Sequence, residues 1–308
     1  MTKATYIYIA AFALLFPIFS SGLNFSTTLP SIICIVLIFG LGIPHGAADN
    51  VLYKTRTAIS NRFFIGVYVL TIGSNVALWF LAPQVAYLLF LIISGYHFGQ
   101  SQFSHYFKRE YLGVKLLYLF WGLVILGGMI YFNRTEILGY TRTYADLEQF
   151  APFSKKLFLE TFLALSGLGL LAIQVILLYQ NKWRLESFVM EMLIMLMIGL
   201  SFYVFPFLVS FTLYFVILHS FKVMREQYHF LQIKKLVTHW RGYLKIVLPF
   251  SFLSYFGITL VLGMVEFNWL PISFPYSFLI LISSITTPHV FVMEQFYKSP
   301  AVRLSDIG

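Results

Sequence analysis

Four of the seven histidines lie inside long apolar stretches of the sequence, where an ionisable side chain is costly and is therefore a candidate for function. Imidazole is a ligand for iron, zinc, copper and nickel. Neutral nitrogen ligands from separate helices can also surround one ion without bringing a carboxylate charge into an apolar interior. The sequence therefore suggests a metal centre made by His45, His97, His219 and His289.

The other three histidines favour a simpler interpretation. His105 lies at the end of an apolar stretch, and His229 and His239 lie in a basic segment, where rings at a membrane interface are expected. A single histidine within a transmembrane helix most often hydrogen-bonds to a neighbouring helix. Four of them at one depth are better explained by a shared ion.

The composition indicates which elements must position these side chains. Of 308 residues, 59% are hydrophobic and 11% are charged, whereas about 25% are charged in soluble proteins. The apolar runs are continuous, which predicts a single all-α domain over 1–308, a polytopic helical bundle in the membrane. The net charge of +9 is assigned to cytoplasmic loops, and no nucleic-acid partner is predicted. The single Cys34 excludes an internal disulfide.

Ten apolar stretches are long enough to span the bilayer. The first is predicted to be a retained helix, since nine more spans follow it and no signal-peptide cleavage site is evident. A short cytoplasmic tail, 297–308, follows the last span. The predicted spans are 5–21, 28–46, 63–82, 84–105, 114–132, 157–179, 187–205, 207–224, 244–265 and 276–296.

The distribution of cations predicts the orientation, because Lys and Arg are retained on the cytoplasmic side during insertion. With the N-terminus inside, only Arg134, Arg142, Lys155 and Lys156 of the 21 Lys and Arg fall outside, which leaves 21 − 4 = 17 inside. An even number of spans then places both termini in the cytoplasm. The localisation predicted for such a chain is the inner, cytoplasmic membrane of the cell.

This topology brings the four histidines to one side of the membrane, since each lies in the last third of a span that runs inward. The separations to the next inner cation are 9, 11, 3 and 9 residues, about 14, 16, 5 and 14 Å at 1.5 Å per residue. Only His219 is shallow. We therefore predict that its helix continues to about Gln232, with Lys222 and Arg225 reaching towards water.

Residues next to the histidines could orient them. Asp49 follows His45 by four residues, which places both on one face if the helix persists, and it is assigned a role in fixing an imidazole. Pro44 and Pro288 each precede a candidate ligand. A proline within a helix frees a carbonyl and kinks the segment, which could direct both rings inward.

Four short motifs in this order resemble the Brp/Blh family of integral-membrane β-carotene 15,15′-dioxygenases over about residues 40–297. The motifs are Pro44-His45-Gly46-Ala47-Ala48-Asp49, His97-Phe98-Gly99, His219-Ser220 and Pro288-His289. The resemblance implies a non-haem Fe(II) enzyme that cleaves the central double bond of β-carotene with O₂ and releases two retinal molecules. It also implies a functional link to a retinal-binding rhodopsin.

The sequence departs from the family pattern in three places. The family commonly has a histidine at Asn50, an acidic residue in the stretch Gln100-Ser101-Gln102, and Arg-His at Lys222-Val223. None of these changes removes a candidate ligand, but a carotenoid other than β-carotene remains an alternative substrate.

A dioxygenase of this kind needs no catalytic residue beyond the metal centre, but it needs an apolar cavity for the polyene. With 34 Phe, 20 Tyr and 5 Trp, aromatic rings are abundant. Tyr96 adjoins a candidate ligand, and Phe98, Tyr214, Phe215 and Phe291 lie within a turn or two of one. Of these, Tyr96, Phe98 and Phe291 are predicted to contact the substrate.

The main alternative from another class is a haem-b or other histidine-ligated redox protein, in which histidine pairs face each other across a bundle. A transporter with a histidine relay is less consistent with four rings at one depth. A rhodopsin would need a lysine in the middle of a span, and Lys115 and Lys245 lie only at span ends.

Overall fold

The computed structural model describes residues 3–21, 28–55, 57, 60–107 and 109–299, and all the regular secondary structure within these ranges is helical. This confirms the all-α prediction. Nine helices in the described ranges are long and apolar enough to cross a membrane, so the chain is a multi-pass membrane protein. They are Lys3–Ser20, Thr28–Lys54, Asn61–Leu81, Leu112–Phe132, Lys156–Tyr179, Leu185–Val204, Phe207–Ile233, Trp240–Glu266 and Phe274–Tyr297.

These nine helices correspond to nine of the ten predicted spans. The remaining one, predicted at 84–105, is the helix α5, Pro83–Phe103, which at 21 residues is long enough to cross but is less apolar than the nine. Its polar side chains explain this difference, since Gln84 lies at its start and His97, Gln100 and Gln102 lie near its end. The orientation of the bundle in the membrane stays a prediction. Arg56, Lys108 and the tail segment 300–308 with Arg303 lie outside the described residues.

We number the α-helices in chain order. The unbroken ones are α1 (Lys3–Ser20), α4 (Asn61–Leu81), α5 (Pro83–Phe103), α6 (Leu112–Phe132), α7 (Arg134–Thr143), α8 (Lys156–Tyr179), α9 (Leu185–Val204), α12 (Trp240–Glu266) and α13 (Phe274–Tyr297).

The helix Thr28–Lys54 changes its hydrogen-bonding pattern three times along its length. It consists of α2 (Thr28–Leu37), a π segment (Ile38–Gly42), a 3₁₀ turn (Pro44–Gly46) and α3 (Asp49–Lys54). Proline cannot donate a main-chain hydrogen bond, so Pro44 interrupts the helix at the residue before His45. The regular helix that would place His45 and Asp49 on one face therefore does not persist.

A second interrupted helix carries His219. It consists of α10 (Phe207–Thr212), a π segment (Leu213–Phe221) and α11 (Lys222–Ile233), and the π segment packs against that of the first interrupted helix. π segments are rare and are frequent at functional sites. The predicted continuation to about Gln232 is confirmed, and so is the break before Phe207. The prediction for Lys222 was wrong, because its side chain is buried and bonded to protein carbonyls.

Helices α5 and α6 approach closely through glycines. A Cβ atom added to Gly99 would lie 1.9 Å from the carbonyl oxygen of Tyr118, and one on Gly122 would lie 1.8 Å from that of Gly95. Only glycine permits such contact between two backbones. The close approach sets the position of His97, which lies between Gly95 and Gly99 on α5.

The bundle has two different ends. The histidine end is the one where α3, α5, α11 and α13 terminate, and it contains the four candidate ligands. The cap end is covered by α7 and by a 3₁₀ segment, Ala145–Ser154. The Oδ2 atom of Asp146 in this segment accepts a hydrogen bond from the backbone nitrogen of Ser273, 2.6 Å away, which joins the cap to the start of α13.

Candidate metal centre

The four histidine rings meet at one point inside the bundle. The ring centroid of His45 is 5.2 Å from that of His219 and 4.8 Å from that of His289. The centroid of His97 is 4.8 Å from that of His219 and 5.0 Å from that of His289. Neighbouring rings are nearly perpendicular, and all four residues are at most 9% exposed. Four elements far apart in the chain thus contribute one imidazole each.

Three of these histidines have a nitrogen close enough to the others to share an ion. One ring nitrogen from each of His45, His97 and His289 lies within 4.8 Å of the other two. Nitrogen atoms bound at about 2.0–2.1 Å to a single ion are separated by roughly 3–4 Å, so a small inward movement brings the three to coordination distance. The three-histidine cluster is therefore a site that could hold a metal.

Hydrogen bonds fix which nitrogen faces the centre in three of the rings. The Nδ1 atom of His45 is bonded to the carbonyl oxygen of Gly42, and Nδ1 of His289 lies 2.8 Å from Oδ1 of Asp49. Both partners are acceptors, so each Nδ1 carries the proton and each Nε2 presents a lone pair.

The third ring, His219, is held in the same way. Its Nδ1 lies 3.0 Å from Oγ of Ser101. That hydroxyl donates its one proton to the carbonyl of Phe98, at 2.9 Å, and so accepts the proton of Nδ1. The Nε2 atom of His219 then also presents a lone pair.

Several ring nitrogens in the centre have no hydrogen-bond partner among the described residues. They are Nε2 of His219, Nε2 of His289 and both nitrogens of His97. A buried polar atom without a partner typically costs about 1–3 kcal/mol. Such a concentration of orphaned nitrogens on facing rings is what a set of metal ligands looks like without its ion.

Asp49 contacts a different histidine from the one that its sequence position suggested. Its Oδ1 accepts from His289 on α13, and its Oδ2 accepts from the hydroxyl of Tyr68 on α4, 3.1 Å away. Its carboxylate is buried. Asp49 therefore joins three elements beside the histidines.

The predicted substrate residues occupy three different environments. The Phe98 ring is buried, with its centroid 4.8 Å from that of His219. The hydroxyl of Tyr96 donates to Oε2 of Glu294, 2.9 Å away. Phe291 is 64% exposed on the outer surface of the bundle. Side chains two positions apart on an α-helix point in directions about 200° apart. Phe291 therefore points away from the centre that His289 faces.

Phe215 and Gln227 also contact the centre. The ring of Phe215 stacks on His219 with centroids 5.7 Å apart and also contacts His45 edge-on. Gln227 donates from Nε2 to the carbonyl of His45 at 2.9 Å, and its Oε1 accepts from the hydroxyl of Tyr243 at 2.7 Å. The sequence indicates Phe215, which precedes His219 by four residues, about one helical turn. Gln227 is joined to His45 only by the tertiary fold.

The remaining histidines are not part of this cluster. His105 follows α5 and packs its ring on Tyr106, with centroids 3.9 Å apart. His239 lies exposed before α12, and the ring of His229 packs near Tyr228.

A helical bundle with nine candidate membrane spans and a buried histidine cluster defines the chain as a multi-pass membrane protein with a candidate metal centre. The family model for β-carotene 15,15′-dioxygenase matches residues 36–297, and the chain belongs to that family. Membership implies an enzyme that cleaves β-carotene with O₂. No curated protein and no solved structure matches the chain.

Proposed function

We propose that His45, His97, His219 and His289 together bind Fe(II) and that the enzyme cleaves the central double bond of β-carotene with O₂ to give two molecules of retinal. The observation that carries this proposal is the convergence of four buried rings, three of which direct an Nε2 lone pair away from a fixed Nδ1–H. The family match supports the substrate and the reaction class.

His219 is included as the fourth ligand for two reasons. Its ring centroid lies 4.8 Å from that of His97 and 5.2 Å from that of His45, the same spacing as between the other neighbours. Its Nδ1 carries the proton, as in His45 and His289, because the group facing it is an acceptor. Its Nε2 has no partner among the described residues.

The stoichiometry explains why no acid or base is needed beside the metal. One C=C bond and the O–O bond break, two C=O bonds form, and each product keeps one oxygen atom, so no proton is exchanged with the solvent. When bound, the iron supplies the redox chemistry that allows O₂ to react with a carbon–carbon double bond. The imidazoles hold it without adding negative charge, which suits an apolar site.

The residues around the rings keep the site dry and orient the ligands. Phe98 and Phe215 cover His219 on two sides. Asp49, Ser101 and the carbonyl of Gly42 fix three imidazole tautomers. A dry, shaped cavity is the main contribution that a protein makes to such a reaction.

The substrate is proposed to enter from the bilayer, because β-carotene is too apolar to reach the site through water. The chain is proposed to reside in the inner, cytoplasmic membrane, where retinal would be released close to a retinal-binding rhodopsin. A related carotenoid stays an alternative substrate, and Phe291, on the lipid-facing surface, would meet it before the buried rings do.

The haem alternative fits the geometry less well. A porphyrin bound between facing histidines needs a flat space that separates its two axial ligands. The four rings here are each 4.8–5.2 Å from two neighbours and surround a point. An absorption spectrum of the purified protein decides between them, since a Soret band would indicate haem.

The proposed activity is tested by expression in a bacterium that accumulates β-carotene, with wild type beside His97→Ala and beside His239→Ala, an exposed control. We expect wild type and the control to consume carotene and form retinal, and His97→Ala to leave the pigment unchanged. Elemental analysis should find about one iron per wild-type chain. Carotene left intact by the folded wild type would reject the substrate, and a folded wild type without a transition metal would reject the centre.

A further inference from the structure

A buried lysine lies directly beside the candidate metal centre. Lys222, three residues after His219, is 7% exposed. Its Nζ donates to the carbonyl oxygen of Ser101 at 2.6 Å and to that of Gln102 at 3.2 Å, and it lies 3.8 Å from Oε1 of Glu226. Two of the three N–H donors of this ammonium group therefore bond to main-chain carbonyls, and the Glu226 carboxylate lies at ion-pair distance.

The two carbonyls belong to the end of α5. The last carbonyl groups of a helix have no partner within it, and a cation there is favoured by the helix dipole. Helix α5 ends at Phe103, so Ser101 and Gln102 lie in its last turn. Lys222 therefore caps the helix of His97 from the helix of His219.

Ser101 is joined to this second helix twice. Its carbonyl accepts from Lys222, and its hydroxyl accepts from Nδ1 of His219. The two contacts on one residue set both the distance between the helices and the orientation of the imidazole. Ser101, which makes both contacts, follows His97 by four residues, about one helical turn.

The same lysine connects to the helix of a third ligand. Glu226 is 4% exposed, and its Oε2 accepts from the hydroxyl of Tyr297 on α13 at 2.8 Å. Helix α13 also carries His289. The contacts from Ser101 through Lys222 and Glu226 to Tyr297 thus join α5, α11 and α13 next to the centre.

We propose that Lys222 and Ser101 are positioning residues that together hold the imidazole of His219 in place as the fourth metal ligand. This inference rests on the proposed function, because it assumes that the histidines bind a metal. A lysine at this place has no need to reach water, since protein oxygens solvate it. Residues that orient a ligand typically contribute tenfold to hundredfold to metal affinity.

The test uses Co(II) as the probe, because its visible absorption reports the number and geometry of its ligands and is measured without the reaction. Apo-protein is prepared with a chelator in detergent, and Co(II) is titrated into wild type, Ser101→Ala, Lys222→Met and His219→Ala. Lys245→Met is the control, because Lys245 is an exposed lysine on α12.

We expect Ser101→Ala to bind Co(II) about tenfold to hundredfold more weakly than wild type. Its Co(II) spectrum should shift towards that of His219→Ala, which lacks the fourth nitrogen. Lys222→Met should show the same spectral shift, and Lys245→Met should match wild type. A purely structural role would lower the melting temperature of the variants but leave the spectrum of bound Co(II) unchanged.

Each outcome has one meaning. If wild type itself binds no Co(II) and no iron, the proposed metal centre fails. If wild type binds Co(II) and both Ser101→Ala and Lys222→Met keep its affinity and spectrum, the centre stands and the positioning role is overturned. A His219→Ala spectrum identical to that of wild type also overturns it. Should Lys222→Met fail to fold, Ser101→Ala decides, since it removes a single hydroxyl.

Discussion

The two ends of the bundle are built from different interactions. At the cap end, aromatic rings pack face to edge around Trp79, with the centroid of Phe150 at 6.0 Å and that of Tyr276 at 5.8 Å. At the histidine end, two helices change to π segments, and buried polar groups surround the four imidazoles. Aromatic packing stabilises a fold, whereas buried polar atoms without partners cost stability.

The difference indicates that stability and metal binding are separate properties of this chain. The packing around Trp79 can be weakened without removing a ligand, because its partner Ser283 precedes His289 on α13 by six residues, about 9 Å along the helix. The histidine end has unsatisfied nitrogens that a metal would compensate. A variant at the cap end should therefore lower the melting temperature more than the metal affinity. A variant at the histidine end should lower the metal affinity more than the melting temperature.

The largest effect is expected for His289→Ala. Removal of this ligand should abolish Fe(II) and Co(II) binding, measured by elemental analysis and titration. In the metal-free protein the loss of the unpartnered Nε2 should offset part of the cost of leaving Oδ1 of Asp49 without its donor, so the melting temperature should change less than the metal affinity. His239→Ala, in an exposed loop, is the control and should bind metal like wild type.

The contrast would fail if His289→Ala unfolded the metal-free protein as strongly as it impaired binding. In that case the rings would serve mainly to pack the bundle.

The second largest effect is expected for Trp79→Ala, at the cap end, and it is an effect on stability. Trp79 is fully buried, and its Nε1 donates to Oγ of Ser283 at 2.5 Å. Truncation of such a residue typically costs about 3–5 kcal/mol of unfolding free energy. Thermal unfolding in detergent should show this loss, while Co(II) affinity of the folded fraction should stay at the wild-type value. A large loss of affinity would mean that the two ends are coupled.

Much of this architecture could be predicted because its causes are local. Hydrophobic length fixes where helices form, and the positions of the four histidines towards the same end of their helices bring them together. The break before Phe207 and the continuation past Lys222 were also predictable, the second from the need to bring His219 level with the other rings.

The rest could not be predicted because it depends on contacts between distant residues. The π segments arise where two helices adapt to each other, and periodicity does not indicate them. Asp49 was expected beside His45, but the interruption at Pro44 turns its carboxylate to His289. Lys222 was expected in water because lysine usually extends there, and only the fold shows the carbonyls that solvate it.

A smaller effect is expected for Asp49→Asn. The amide can still accept from Nδ1 of His289, but it lacks the charge that makes the imidazole a stronger donor to a metal. We expect Co(II) affinity to fall about tenfold to hundredfold. Asp146→Asn is the matched control at the cap end, where the carboxylate accepts from the backbone of Ser273. It should lower the melting temperature but leave the affinity unchanged, and equal loss of affinity in both would contradict the assignment of Asp49.

The smallest effect is expected for Tyr68→Phe, which removes only the hydroxyl that donates to Oδ2 of Asp49. A hydrogen bond contributes about 0.5–1.5 kcal/mol net, so Co(II) affinity should fall by at most about tenfold. Tyr276→Phe removes the equivalent hydroxyl at the cap end, where it donates to the carbonyl of Trp79 at 2.8 Å. Because that bond is far from the rings, Tyr276→Phe should reduce the melting temperature alone. If the two variants had the same affinity for Co(II), the contact of Tyr68 with Asp49 would be part of the packing and not of the metal centre.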